Sequence, residues 1–249
     1  MYKSLIISIV ILILFGCEES KKSDTIEQIE TAAESWVYLF DGSSTEDWRG
    51  EHIDSFPDSG WYISSDELLN DGSGKGNLLS KEQYGNFILE WEWRLFDEGG
   101  NSGLKYFVKE TFGESSDRVL GLEYQMLDDD RHEWMLAGKM KPNDFHTTGA
   151  LYEFFPPSEN KKMVPLGDFN KSKIVSDGKH VEHWLNGIKV VEYERGGASF
   201  LEKKAQSKFK DYPEFGLHEK GHIMLQDHSS RVGFKNIRIK VLIDKDSKL

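Results

Sequence analysis

Two short stretches of the sequence place polar, chemically capable side chains along strand-like runs. In the first, Gly121–Leu127, Glu123 and Gln125 alternate with aliphatic and aromatic residues. The second run ends in an amide, a carboxylate and an imidazole, which are Gln226, Asp227 and His228. Because residues two apart on a strand share a face, Glu123 and Gln125 are expected to point together. Gln226 and His228 do the same if their strand extends that far. Such groups can transfer protons or bind hydroxyl groups.

A carbohydrate-binding face and an ordinary solvated face fit this pattern equally well. On a carbohydrate-binding face, the amides and carboxylates would bond sugar hydroxyls, while aromatic residues such as Tyr152 and Trp184 would stack on sugar rings. His146 lies in the loop-like stretch 143–149 and is therefore a better candidate for function than for the core. His183 lies in a strand-like run and is expected to be packed in the interior.

The acidic run Asp128-Asp129-Asp130 could supply oxygen ligands to a hard cation. An acidic turn at the end of a strand is the commoner explanation, and the spacing matches no EF-hand loop. The eight histidines show no HExxH or other zinc spacing. The sequence also contains no nucleophile elbow, P-loop or dinucleotide fingerprint.

The elements that must position these residues are predicted to be mostly β-strands. About 12% of the residues are aromatic, and short runs alternate with Gly, Asn, Asp and Ser. The predicted strands are Phe87–Arg94, Gly103–Val108, Leu120–Leu127, Lys173–Val175, Val181–Leu185, Ile188–Tyr193, His222–Gln226 and Gly233–Leu242. Asn186-Gly187 predicts a tight hairpin. One surface helix is predicted from a capping box at Ser199–Glu202 toward Lys210. This pattern predicts an antiparallel sandwich.

Length and charge restrict the function further. The chain has 249 residues, of which 38% are hydrophobic, enough for one sizeable domain. The formal net charge of -12 disfavours nucleic acid as a partner and direct docking on anionic lipid. Neutral ligands such as sugars remain compatible with this charge.

The N-terminus predicts export and lipid anchoring. Lys3 precedes an apolar run of signal-peptide length, and Leu14-Phe15-Gly16-Cys17 resembles the lipobox of bacterial lipoproteins. The alternative is an ordinary signal peptide with an incidental cysteine. The predicted organisation is a signal peptide at 1–16, a tether at 17–34 from lipidated Cys17, a domain at 35–243 and a polar tail at 244–249. This places the protein in the bacterial cell envelope, on the periplasmic or the outer surface, with the lipid as its only membrane contact. Cys17 is the sole cysteine, so an intramolecular disulfide is excluded.

Several motifs together resemble the 3-keto-disaccharide hydrolase family over roughly residues 35–243. They are Leu39-Phe40-Asp41-Gly42 followed by Trp48, Tyr84–Phe87 leading to Glu92-Trp93-Arg94, Gly100–Gly103, Glu123–Asp128, Gly149–Tyr152, His183–Gly187, Leu225–His228 and Phe234–Ile237. The sequence departs from the family pattern at Asp168-Phe169-Asn170 and at Lys235. The resemblance implies an all-β jelly-roll sandwich of the concanavalin A-like or laminin G-like type.

The resemblance also implies a substrate and roles. The substrate is a 3-keto-glycoside or 3-keto-disaccharide, cleaved by removal of the C2 proton and loss of the C1 aglycone. Glu123 or His228 is the expected base, with Gln226 as a third catalytic residue. The expected substrate-binding residues are Asn101, Gln125, His146, Tyr152, Trp184 and Asp227. The enolate would be held by amides or by a divalent cation, with Asp128 and Glu123 as possible ligands.

Two other functions remain open from the sequence. One is a lectin-like module that binds carbohydrate without catalysis, since jelly rolls host both functions. The other is a structural envelope protein held by its lipid, which would have no pocket and no affinity for sugar. The oligomeric state is left undetermined by the sequence.

Overall fold

The computed structural model describes residues 35–111 and 118–242. The predicted signal peptide, Cys17, the tether and the polar tail lie outside the described residues. The strands are β1 (Val37–Phe40), β2 (Trp48–Gly50), β3 (Trp61–Ser64), β4 (Glu67–Asn70), β5 (Leu78–Tyr84), β6 (Phe87–Leu95), β7 (Asn101–Thr111), β8 (Arg118–Leu127), β9 (Asn170–Ser176), β10 (His180–Leu185), β11 (Ile188–Glu194), β12 (Gly221–Leu225) and β13 (Val232–Val241). The helices are α1 (Glu133–Leu136) and α2 (Ala198–Gln206).

These strands form two antiparallel sheets. The eight-stranded sheet has the order β11-β10-β9-β6-β13-β4-β3, with β1 added against β13. The five-stranded sheet has the order β2-β5-β12-β7-β8. Apolar residues from both sheets contribute to one continuous buried core, so the sheets pack face to face. The predicted all-β sandwich of the jelly-roll type is confirmed.

Alternation along the strands explains how the sheets pack. In β6, Leu89, Trp91 and Trp93 are buried in the core, whereas the charged residues between them are only partly buried. In β8, Leu122 and Tyr124 are buried on the core side. The residues between them therefore point away from the core, onto the outer face of the five-stranded sheet.

A chain of hydrogen bonds crosses the core and joins the two sheets. Trp93 Nε1 donates to Ser172 Oγ at 2.9 Å, and the Ser172 hydroxyl donates to Tyr124 Oη at 3.0 Å. The Tyr124 hydroxyl donates in turn to the Trp184 carbonyl at 3.2 Å. Each of these groups is thus satisfied inside the sandwich, as burial of polar groups requires.

A second chain of hydrogen bonds passes through His183, which is fully buried, as the sequence predicted. Its Nδ1 lies 3.0 Å from the Gly149 carbonyl and its Nε2 lies 2.8 Å from Tyr106 Oη. A carbonyl can only accept, so Nδ1 carries the proton and Nε2 accepts from Tyr106. The Tyr193 hydroxyl, 2.7 Å from Tyr106 Oη, then donates to Tyr106.

Local predictions differ in their outcome. Asn186 and Gly187 have φ of 48° and 81° and join β10 to β11, which confirms the hairpin. The capping box at Ser199 is wrong, because the N-cap of α2 is Gly197, two residues earlier, and no side chain caps that end of the helix. Strands β1 to β5 and helix α1 were not predicted. No helix in the described ranges is long and apolar enough to cross a membrane.

Candidate functional site

One row of side chains crosses the outer face of the five-stranded sheet. Directly paired residues of neighbouring antiparallel strands point to the same face. The paired residues in this row are Arg49, Leu79, Met224, Lys105 and Glu123, from β2, β5, β12, β7 and β8 in turn. Leu79 and Met224 are fully buried together with Val108, apart from the main core. The polar end of the row, at Lys105 and Glu123, is the candidate site.

Glu123 and Gln226 converge on Gly103, which forms the floor of this site. Gly103 is paired with Gln125 of β8, and its carbonyl accepts the Gln226 backbone N–H at 2.9 Å. A Cβ atom on Gly103 would lie 2.7 Å from Glu123 Oε1 and 3.2 Å from Gln226 Oε1. The missing side chain therefore lets a carboxylate and an amide oxygen come close together over the Gly103 backbone, and this place is called the depression.

Two amide oxygens near this depression are buried without a hydrogen-bond donor among the described residues. They are Gln226 Oε1 and Asn101 Oδ1, the latter two residues from Gly103 on β7. A buried acceptor left unpaired costs about 1–3 kcal/mol, so a water or a ligand that supplies a donor is favoured beside these two oxygens. Sugar hydroxyls are donors of this kind.

Filling the depression is expected to impair the site. We expect Gly103→Ala to lower kcat/KM about 10²-fold, because its Cβ must displace Glu123 Oε1 and Gln226 Oε1 from their positions. Gly187→Ala is the control for lost stability, because its φ of 81° strains an alanine on a hairpin of the other sheet, although its Cβ would meet no atom within 4 Å. Kinetics on purified variants, with melting temperatures, check this. If Gly103→Ala has the same kcat/KM as the wild type, the depression is not the site.

A cation lies beside the Glu123 carboxylate. Lys105 Nζ is 3.6 Å from Glu123 Oε2, and the two side chains are only 18% and 11% exposed. The site thus holds a positive and a negative group side by side in a sheltered position. The Lys105 ammonium can stabilise negative charge that develops next to the carboxylate.

Aromatic residues form a wall next to Glu123. The Tyr152 backbone N–H donates to the Glu123 carbonyl at 3.0 Å. The Tyr152 ring lies 5.2 Å from the His146 ring, which lies 5.7 Å from the ring of Trp134 on α1. Burial, together with the charges of Glu153 and Glu123, raises the pKa of the Tyr152 phenol. His146 and Tyr152 therefore lie close together, as expected of residues in one site.

The stretch Gln226-Asp227-His228 is arranged differently from the prediction. Strand β12 ends at Leu225, and the chain turns at Ser229 with a φ of 56°. Asp227 is a loop anchor, because its carboxylate accepts the N–H groups of Gly76 and Ser229. His228 is exposed, and the strand does not extend far enough for Gln226 and His228 to share a strand face.

His228 lies near a second histidine at the rim of the site. Burial is the main cause that lowers the pKa of His132, and the charge of His228 lowers it further, whereas the nearby carboxylates raise it. The His132 ring is 5.8 Å from the Trp134 ring. His228 therefore belongs with the aromatic wall rather than with the floor at Gly103.

Comparisons with known proteins show which family the chain belongs to. Residues 35–240 match the family described as 3-keto-alpha-glucoside-1,2-lyase-like domain. The chain belongs to this family. It is 31% identical over 242 residues to the 3-keto-disaccharide hydrolase of Bacteroides thetaiotaomicron, an alignment that covers 86% of this chain and 81% of the relative.

Solved structures resemble this 3-keto-alpha-glucoside-1,2-lyase-like domain as well. A candidate glycosyl hydrolase from Parabacteroides distasonis is 28% identical with a TM-score of 0.72, covering 92% of this chain and 99% of that one. A protein of unknown function with a galectin-like fold from Bacillus subtilis has a TM-score of 0.51 at 16% identity, covering 85% and 98% of the two chains. The second similarity shows the fold alone.

Two predicted substrate-binding residues of the lyase-like domain do not point into the depression. Trp184 lies on the outer face of the eight-stranded sheet, where it lines a cavity of about 480 Å³ with Tyr38 and Arg238. Trp184 and Glu123 therefore lie on opposite sides of the sandwich, and the structure does not bring Trp184 to the depression. The Gln125 side chain is buried, and its Oε1 accepts the N–H of Met126 at 2.9 Å.

The predicted metal ligands of the domain are not brought together. Asp128 Oδ2 accepts the Gly99 N–H at 2.9 Å, and its Oδ1 lies 3.4 Å from Arg131, whereas Glu123 faces Lys105. Among the described residues, the group close enough to share a cation is His180, Glu182 and Glu192. It contains neither predicted ligand, so no step is assigned to a metal at Glu123.

Three residues of the site escaped the sequence analysis. Lys105 could have been found, because it lies two residues from Gly103 in a predicted strand. Trp134 lies on the unpredicted helix α1. Lys208, whose ammonium lies 4.4 Å from the centroid of the Tyr152 ring, follows α2 far along the chain. Their contacts depend on tertiary packing, which leaves no local signal.

Proposed function

We propose that this protein cleaves 3-keto-glycosides by removing the C2 proton and releasing the C1 aglycone. The observation that carries the proposal is the convergence of Glu123 and Gln226 over Gly103, with Lys105 beside the carboxylate. Membership in the 3-keto-alpha-glucoside-1,2-lyase-like family supports it, as does the relative named 3-keto-disaccharide hydrolase. More broadly, family and relatives indicate a glycoside-cleaving enzyme.

The chemistry follows from the ketone at C3. The ketone acidifies the C2 hydrogen, so a base can remove it and leave an enolate. The enolate electrons then form the C1–C2 double bond while the C1–O bond breaks, and the aglycone oxygen takes a proton. Addition of water across that double bond returns a 3-keto sugar, which makes the overall reaction a hydrolysis.

Glu123 is the base in this proposal. It lies at the sheltered end of the row across the sheet, whereas His228 is exposed and outside the strand. A carboxylate is a weak base in water, but a ketone next to the C–H bond and a positioned base together make proton removal feasible. The Lys105 ammonium would stabilise the enolate charge next to that base.

Amide groups would hold the sugar hydroxyls. Gln226 Oε1 and Asn101 Oδ1 are buried acceptors that have no donor among the described residues. Sugar hydroxyl groups would donate the missing hydrogen bonds. An unpaired buried acceptor disfavours a substrate that lacks the matching hydroxyl. The proposed substrate is therefore a glycoside that has all its ring hydroxyl groups except the one at C3, which is oxidised.

Aglycone release tests this proposal. The domain from about residue 35 is mixed with a 3-keto-glycoside and, separately, with its unoxidised parent, with and without a chelator. Release from the keto compound alone is the expected result, because the parent has no acidic C2 hydrogen. No release from either compound, with saturable binding of both, would replace the proposal with a lectin-like function.

A further inference from the structure

We propose that Tyr152 is the general acid that protonates the departing glycosidic oxygen, and that Lys208 positions its hydroxyl group. This inference rests on the proposed elimination and names the acid which that reaction needs. Tyr152 would thus be a catalytic residue and Lys208 a positioning residue.

The placement of Tyr152 follows from an extension of the five-stranded sheet. The chain returns alongside β8, where the Gly149 N–H donates to the Gln125 carbonyl at 2.9 Å and Leu151 forms a bridge with Tyr124. Tyr152 is therefore the direct neighbour of Glu123, and its side chain shares the outer face. Cβ atoms of such neighbours lie about 5 Å apart.

This spacing suits an acid and a base that act on one sugar ring. The C2 hydrogen and the glycosidic oxygen are attached to adjacent ring carbons. A carboxylate on one strand and a phenol on the next can therefore reach the two reacting groups of a single bound sugar. The direct row from Lys105 through Glu123 to Tyr152 places charge stabilisation, base and acid side by side.

The hydrogen bonds of Tyr152 leave its proton available. Lys208 Nζ donates to Tyr152 Oη at 3.2 Å and lies 4.4 Å from the ring centroid. An ammonium group has no lone pair, so it cannot accept the phenolic proton. Within the described residues no acceptor is bonded to that hydroxyl, which can therefore donate to a ligand.

Other groups next to the site are less suited to this role. His146 has Asp144 Oδ1 2.8 Å from Nδ1 and Glu153 Oε1 3.6 Å from Nε2, so both of its ring nitrogens already face carboxylates. Lys105 faces Glu123, the group that receives the C2 proton. Tyr152 alone of these combines the adjacent position with a free proton.

Each proton that moves in the proposed step has a donor and an acceptor. Glu123 takes the C2 proton, and Tyr152 gives its proton to the aglycone oxygen as the C1–O bond breaks. The resulting phenolate lies next to the Lys208 ammonium, which stabilises it until a proton returns from Glu123, directly or through water. Burial and the carboxylates of Glu153 and Glu123 raise the pKa of Tyr152, so the phenol is protonated before each turnover.

Leaving-group dependence tests this inference. Wild type and Tyr152→Phe are compared on methyl and p-nitrophenyl 3-keto-glucosides, after subtraction of spontaneous release. A poor leaving group needs protonation and a good one does not, so kcat is expected to fall about 100-fold or more on the methyl substrate. On the p-nitrophenyl substrate it is expected to fall about threefold or less. Lys208→Met should show the same selectivity with a smaller loss.

Tyr62→Phe is the matched control, because Tyr62 is 48% exposed on β3 of the other sheet. It is expected to leave both rates unchanged. Equal losses on the two substrates in Tyr152→Phe, or no loss on either, would overturn the acid role while leaving the elimination intact. Failure of the wild type on both substrates would instead reject the proposed function itself.

Discussion

Replacing Glu123 by Gln is expected to lower kcat on a 3-keto-glycoside about 10²–10⁴-fold, the usual effect of losing a positioned acid or base. Glutamine keeps the shape of the side chain and one acceptor oxygen above Gly103 but cannot take the C2 proton. The binding of the substrate should change much less than the rate. Steady-state kinetics, with KM reported separately from kcat, check this.

The control for this change is Glu92→Gln on the other sheet. Glu92 pairs with Lys235 at 3.6 Å, the same separation as between Glu123 and Lys105. Both variants lose one carboxylate and one ion pair, so their melting temperatures should fall by similar small amounts. Only Glu123→Gln should lose activity.

The variant His228→Ala distinguishes between Glu123 and His228, the two candidates for the base. Because His228 is exposed at the rim, its removal is expected to lower kcat only about threefold. If Glu123→Gln keeps most of its turnover and His228→Ala does not, then the base is His228, and the floor at Gly103 serves only in binding.

Acidification is expected to destabilise the fold through His183. Burial lowers the pKa of this imidazole from 6.5 to about 4, so the folded protein resists the proton that the unfolded chain accepts near pH 6.5. Between these values the unfolded state binds more protons, so stability falls as the pH falls. The loss amounts to about 2 kcal/mol between pH 7 and pH 4.5 from this residue.

Comparison with a variant isolates the contribution of His183 from those of the carboxylates. His183→Asn can still donate to the Gly149 carbonyl but does not titrate. Urea unfolding at pH 7 and pH 4.5 should give a smaller loss of stability for this variant than for the wild type, by about 2 kcal/mol. Equal pH dependence in the wild type and this variant would contradict the role of His183.

The sequence predicted which residues of a single strand point into the core and which point away from it. Alternation in β6 correctly separated Trp91 and Trp93 from the charged residues, and alternation in β8 put Glu123 opposite the core. The reason is local, since the pleat of a strand alone decides which residues share a face. His183 is buried, and its neighbour Trp184 on the same strand points outward.

Neighbours across the sheets were not predictable in this way. Trp184 and Glu123 both point outward, yet from different sheets, because the order of strands depends on packing of the whole chain. His228 left the strand because Asp227 bonds to Gly76, a residue 151 positions earlier in the sequence. Tyr152 reached Glu123 only through the return of the chain along β8.

The sequence by itself thus determined the fold class, the family resemblance and which residues of each strand face outward, since these follow from local periodicity and from motifs. The lipid anchor at Cys17 and the envelope location stay predictions. The tertiary structure decided that Gly103, Lys105, Glu123, Tyr152 and Gln226 meet in one place. It did so because strand pairing and loop contacts join residues far apart in the chain, and these contacts are chosen by burial of the common core.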